Sequence, residues 1–131
     1  MSKATHVQVF RDHNLAHAAN LAIKHRLYVA GWDLSMIYGA MREGRVHPRD
    51  CIALTFVDDV PVASAVYRAG RGDINTFCRK ALRRRGYASQ AVAALKTALP
   101  DVAVFTIHQG AKHSVDFYTA LTAKTHIRLR Y

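Results

Sequence analysis

The sequence predicts an α/β domain: a central mixed sheet, α+β in the order of its strands, with helices on both faces. Three observations carry this. Strand-like runs between Cys51 and Cys78 are separated by gaps too short to hold a helix, so they pair as antiparallel hairpins. A helical repeat over residues 88–99 then leads to an apolar, β-branched run at 102–107, which makes a β-α-β unit. Two further helical repeats precede the first hairpin. At 131 residues, with 50% hydrophobic and 21% charged side chains, the chain suits one domain, 1–131, with an apolar core of its own.

Each element has its own signal. His6-Val7-Gln8-Val9-Phe10 alternates as a first strand, with Val7 and Val9 on one face. Asp12 or Asn14 is the expected cap of a helix reaching about Tyr28. Its Leu15, Ala18, Ala19, Ala22 and Ile23 share one face, and Gly31 is the expected stop. Asp33 is the expected cap of a second helix, with Leu34, Ile37, Tyr38 and Met41 in period and an end near Gly44. Cys51–Val57 reads as a strand, Asp58-Asp59 as a tight turn, and 60–67 as the antiparallel partner. Pro61 must then lie at that strand's beginning or on an unpaired side. Gly70-Arg71-Gly72 turns into a strand at Asp73–Cys78. In the helix at 88–99, Ala88, Ala91, Val92, Leu95, Ala98 and Leu99 form one face and Pro100 ends it. The run 102–107 reads as a central buried strand. A last helix is expected at 112–123 and a last strand at 126–131, giving the order β-α-α-β-β-β-α-β-α-β.

Composition narrows the partners. The net charge is +10, and five of the seven residues 79–85 are basic. With those five set aside the basic residues still outnumber the 9 acidic ones, at Lys24, Arg26, Arg42, Arg45, Arg49, Arg128 and Arg130 among others. Such an excess suits a polyanionic ligand, nucleic acid or a ribonucleoprotein surface, and repels cationic acceptors such as aminoglycosides or polyamines. No apolar run approaches the ~20 residues of a membrane span. The opening Met1-Ser2-Lys3-Ala4-Thr5-His6 lacks a signal-peptide core. The expectation is a cytoplasmic protein that does not engage membranes. Cys51 and Cys78 form no C-x-x-C and read as small buried residues. His13 and His17 would share a helix face, but without the Glu of H-E-x-x-H or a third ligand no metal is expected.

The stretch Cys78-Arg79-Lys80-Ala81-Leu82-Arg83-Arg84-Arg85-Gly86-Tyr87-Ala88-Ser89-Gln90 carries the chemistry. A strand enters a basic, glycine-marked turn that opens onto a helix N-terminus, where main-chain N–H groups and the helix dipole favour anions. Tyr87 is the one aromatic residue in it, a poor base-stacking surface. Arg83-x-x-Gly86-x-Ala88 resembles the R/Q-x-x-G-x-G/A acyl-coenzyme A loop of the GNAT superfamily of N-acetyltransferases. Phe117-Tyr118 falls where that family often carries an F-Y pair. The resemblance covers roughly residues 51–121 and implies a single GNAT-like acyltransferase domain.

That resemblance also implies roles. Main-chain N–H groups around Arg84, Arg85, Gly86, Tyr87, Ala88 and Ser89 would bind the pyrophosphate of acetyl-coenzyme A. The strand end near Cys78 and Lys80 would pair with the pantetheine amides. Arg79, Lys80 or the arginines Arg83, Arg84 and Arg85 would reach the 3′-phosphate. Tyr118 would be the general acid, since a phenol stays protonated near neutrality. For the base the family usually has a Glu on the strand before the loop. Here that strand reads Asp73-Ile74-Asn75-Thr76-Phe77, and His108 and Asp73 remain the candidates. Ala111 replaces an Asn common at the start of the last helix, while Ser114 matches. Tyr28, Trp32, Tyr38 and Met41 lie where the family builds its acceptor pocket, or simply pack a helix on the sheet. After Ala123-Lys124-Thr125 there is room for one short strand instead of two, so one wall of the acceptor groove is expected to be missing or supplied by a second subunit. The expected activity is acetyl transfer to an amine, on an acceptor held by an acidic or nucleic-acid-bound partner. The alternative is a non-catalytic GNAT-like scaffold or a basic nucleic-acid-binding module.

Overall fold

A computed structural model describes residues 4–27, 46–70, 72–82, 85–102, 104–107 and 128–130. Its elements are β1 (Thr5–Arg11), α1 (Leu15–Lys24), β2 (Cys51–Val57), β3 (Val60–Arg68), β4 (Asp73–Cys78), α2 (Tyr87–Ala98), β5 (Val104–Ile107) and β6 (Arg128–Arg130). Short 3-10 turns occupy Asp12–Asn14 and Lys80–Leu82. The helices expected at 33–44 and 112–123 lie outside the described residues. The strands form one sheet in the order β1-β2-β3-β4-β5-β6. The pairings from β1 to β4 are antiparallel, and β4–β5 and β5–β6 are parallel. Among the described residues no helix is long and apolar enough to cross a membrane.

The β2–β3 hairpin turns on Asp58 and Asp59, both left-handed at φ 50° and 66°. Two consecutive left-handed residues match the right-handed twist of the strands, and aspartate tolerates that conformation. Asp58 also ties down the start of β1, accepting the Ala4 N–H on Oδ1 at 3.0 Å. The register runs Phe56↔Pro61 and then Thr55↔Ala63, which leaves Val62 bulged. Pro61 is thus the second residue of β3, beside the bulge, where its missing N–H costs least.

The sheet has a core on each face. On one, Ala91, Val92 and Leu95 of α2 and Leu99 at its C-cap pack on Cys51, Ala53, Ala65, Tyr67, Ile74 and Phe105. On the other, Leu15, Ala18, Ala19 and Ala22 of α1 pack on Phe10, Ile52, Leu54, Phe56 and Val66. Two predicted faces are thereby confirmed, with one correction: Ile23 is 42% exposed. Helix α1 also stops early. It ends at Lys24 rather than near Tyr28, because Arg26 takes a left-handed φ of 57°. Arg26 N–H donates to Ile23 O (3.1 Å) and Leu27 N–H to Ala22 O (2.7 Å), the two bonds of a Schellman stop.

The predicted central strand also starts late. Val102 is held in a turn, its N–H on Leu99 O at 3.1 Å and its carbonyl accepting Lys96 Nζ, so β5 begins at Val104. Val104 itself is 38% exposed, while Phe105 is buried. β6 is described at Arg128–Arg130, within the expected 126–131.

Candidate functional site

β4 and α2 meet at the basic turn. Registered pairing with β5 covers Asp73 and Ile74, and β4 continues to Cys78. Its far side stays on β3 throughout, and Arg79 N–H extends that ladder by donating to Val62 O at 3.1 Å. The chain then makes the Lys80–Leu82 turn, closed by Leu82 N–H on Arg79 O (2.9 Å). Cys78 Sγ lies 3.6 Å from the same Leu82 carbonyl it faces across the turn. Cys78 is half-buried, which corrects the expectation of a buried residue; Cys51 matches it, and burial pushes the Cys51 thiol up to about 11.

Gly86 is the N-cap of α2. It sits at φ 83°, a region closed to most side chains, and a Cβ placed there would meet nothing within 4 Å. The first helical bond runs from Gln90 N–H to Gly86 O (3.0 Å). No side chain caps the helix, and its first turn carries no acidic residue. Among the described residues no acidic side chain stands at the positive end of α2, beside an exposed Arg85. Helix α2 begins at Tyr87, one residue before the predicted start. Tyr87, Ala88 and Ser89 are half-buried in this first turn.

Two side chains that sequence reasoning passed over fix this geometry. Thr55, fully buried in β2, donates its hydroxyl to Tyr87 O at 2.8 Å and pins the start of α2 to the sheet. Ser64, buried in β3, donates to Leu27 O at 3.0 Å and pins the exit of α1 on the other face. Both are lone hydroxyls in apolar strands, and a buried hydroxyl needs a partner. That was the available signal. A third, Asp50, accepts Ala69 N–H (2.7 Å) and His47 N–H (3.1 Å) and joins the start of β2 to the end of β3.

Arg79 does something the motif did not suggest. Its Nη2 lies 3.3 Å from His25 Nδ1, just past α1. Burial, with Arg79 and Lys24 nearby, lowers the His25 pKa, so the ring accepts from Arg79 in its neutral form. Arg83, Arg84, His108 and the Phe117-Tyr118 pair lie outside the described residues, as do Tyr28, Trp32, Tyr38, Met41, Ala111 and Ser114. Asp73 and Lys80 are placed by their backbone, at the start of β4 and in the turn after it.

The described residues thus form a mixed α/β sheet whose fourth strand runs into a basic turn and the glycine-capped start of α2. No protein-family model and no curated protein sequence matches the chain. Solved structures do. Aminoglycoside N-acetyltransferase AAC(6')-Iy in complex with CoA is 16% identical, with 92% of this chain and 88% of that chain covered and a TM-score of 0.63. The ribosomal-protein-S18-alanine N-acetyltransferase from Escherichia coli is 14% identical, covering 90% and 76%, at 0.58. A GCN5-related N-acetyltransferase from Ralstonia eutropha JMP134 is 12% identical, covering 90% and 91%, at 0.53. This chain has the GNAT fold.

Proposed function

We propose that the chain is an acetyl-coenzyme A-dependent N-acetyltransferase that moves the acetyl group directly to an amine. One observation carries the reading: within a GNAT sheet, the β4-to-α2 turn presents a helix start with a left-handed glycine cap, no described atom within 4 Å of a Cβ placed there, and no acidic residue in the helix's first turn. Those features suit a pyrophosphate, which needs main-chain donors and close approach. Arg85, Gly86, Tyr87, Ala88 and Ser89 would hold it, with Arg83 and Arg84 contributing charge. The β4 end near Cys78 and Lys80 would run beside the pantetheine arm.

In the transfer, the amine attacks the thioester carbonyl carbon and a main-chain N–H of β4 stabilises the oxyanion. The C–S bond breaks as the tetrahedral centre collapses, and Tyr118 gives its proton to the departing thiolate. His108 or Asp73 takes the proton lost by the amine. The structural neighbours include enzymes named for aminoglycosides and for an alanine of a ribosomal protein. A net charge of +10 disfavours the first kind of acceptor and favours an amine presented on an acidic or nucleic-acid-bound partner. Free thiols at Cys51 and Cys78 suit a reducing cytoplasm.

Calorimetry with acetyl-coenzyme A tests the cofactor site, with Gly86→Glu as control. Micromolar binding lost in the variant is the expected result, since the new carboxylate strains the left-handed cap and repels phosphate. A folded wild-type protein that binds no acetyl-coenzyme A would sink the proposal. An acceptor screen monitoring free coenzyme A thiol follows. Michaelis constants unmoved by salt across several acceptors would count against the anionic-partner reading.

A further inference from the structure

The His25–Arg79 contact fixes the state of the histidine. A guanidinium has donors and no acceptor, so His25 Nδ1, at 3.3 Å from Arg79 Nη2, must bring a lone pair. The ring is therefore neutral, with its proton on Nε2. Both partners are held from β3. Arg79 N–H donates to Val62 O at 3.1 Å, and Ser64, two residues further along that strand, donates its hydroxyl to Leu27 O at 3.0 Å. His25 donates its own main-chain N–H to Leu21 O at 3.0 Å, at the end of α1. Strand alternation brings the two side chains to one face. Ile74 of β4 packs in the core under α2 and Phe77 in the core under α1, so Arg79, two residues on, falls on the α1 face. The bond thus ties the exit of α1 to the chain leaving β4.

We infer that His25 is a positioning residue for the Lys80–Leu82 turn: its neutral ring holds Arg79, and protonating it lets the turn go. The role rests on the acetyl-coenzyme A reading above, because this turn leads into the proposed pyrophosphate site at Gly86. Charge favours the release. Among the described residues the charged groups acting on His25 are Arg79, from the end of β4, and Lys24 of α1, both cations. A proton on Nδ1 turns the acceptor into a donor and sets imidazolium against guanidinium. Arg79 then loses its side-chain anchor, and Arg79 O is the acceptor that closes the turn, taking Leu82 N–H at 2.9 Å. The ring's ordinary pKa is 6.5 and its surroundings lower it, so the change falls in acid below that value. The new charge on His25 would by itself attract phosphates. It lies at the end of α1, across the sheet from α2, and salt at about 0.15 M screens charges over roughly 8 Å, so the loss of turn geometry dominates.

The test is NMR at that salt concentration on the wild type, His25→Asn and His25→Lys. The Asn side-chain oxygen stands close to the place of Nδ1 and accepts at every pH, whereas Lys is cationic throughout; both residues suit a helix end. The His25 ring signals give its titration. Exchange protection of the Leu82 amide, corrected for the intrinsic rate at each pH, reads the turn. Protection in the wild type should fall about fivefold along the His25 titration, stay high in His25→Asn and stay low in His25→Lys. Over the same range, calorimetry should show the acetyl-coenzyme A Kd of the wild type rising about threefold relative to His25→Asn. Titration of the coenzyme's own phosphates cancels in that ratio. Protection that ignores the His25 titration overturns the proposal, as does a His25→Lys turn as protected as the wild type at pH 8. A Kd ratio that stays flat while the cofactor binds removes the positioning role alone. The protection pattern with no acetyl-coenzyme A binding at any pH removes the acyltransferase reading and leaves His25's hold on the turn standing.

Discussion

Thr55 offers a sharp test of how the sheet builds the turn proposed to hold acetyl-coenzyme A, because its two halves do different work. Its hydroxyl pins Tyr87 O at 2.8 Å and its methyl lies in a fully buried site. Thr55→Val removes the bond, and puts a methyl where the hydroxyl was. A net hydrogen bond is worth about 1 kcal/mol and a buried methyl nearly as much, so stability should change by less than about 1 kcal/mol. Cofactor affinity should respond more clearly. If the bond is what holds the first turn of α2 in its binding geometry, removing about 1 kcal/mol lowers the competent fraction and raises Kd about fivefold. Thr55→Ser should do the reverse. It keeps the hydroxyl, leaves a methyl-sized void, and lowers Tm by about 4 °C with Kd nearly unchanged. Calorimetry and thermal melts on the pair give both readouts. A Thr55→Val protein that binds acetyl-coenzyme A as the wild type does, or a Thr55→Ser protein that binds it less well, would refute the pinning argument.

Other positions give independent checks. Asp50→Ala strips two main-chain donors of their buried acceptor and should cost about 3 kcal/mol, or roughly 10 °C in Tm, with no change in cofactor Kd for the folded fraction. A thiol reagent at pH 8 should label Cys78 in the folded protein and both cysteines in denaturant, since Cys51 is buried with its pKa near 11; acetyl-coenzyme A should slow the Cys78 reaction. His25 has a folded pKa below its ordinary 6.5, so the unfolded chain takes up the proton first as pH falls. Its contribution is therefore lost from about pH 6.5 downward, levelling off below the folded value. Melts from pH 8 to 5 should show a slope that His25→Asn reduces; an unchanged slope would assign the acid sensitivity elsewhere.

The elements legible in the sequence are those where periodicity and turn chemistry agree. Cys51–Val57 and Asp73–Cys78 have the bounds that alternation and their flanking turns predict. The Asp58-Asp59 turn is just as plain, since two aspartates between apolar runs leave the chain little else to do. Misjudged ends have local physical causes that a pattern of apolar residues does not encode. The stop of α1 depends on an arginine adopting a glycine's conformation, and the late start of β5 on a lysine reaching back to Val102.

The site divides along the same line. The turn was legible because binding an anion at a helix start needs a small left-handed residue in sequence with basic neighbours, and Gly86 beside Arg85 is local information. What positions the turn is not local. Thr55 lies 32 residues before Tyr87, and His25 lies 54 before Arg79, so each pair exists only once the sheet has formed. A lone threonine in β2 announces that it needs a partner, but the partner's identity follows from strand register. The bulge at Val62 shifts that register by one residue, and Val62 O is the acceptor for Arg79 N–H. The turn after β4 is thus held by a carbonyl that the bulge in the neighbouring strand presents.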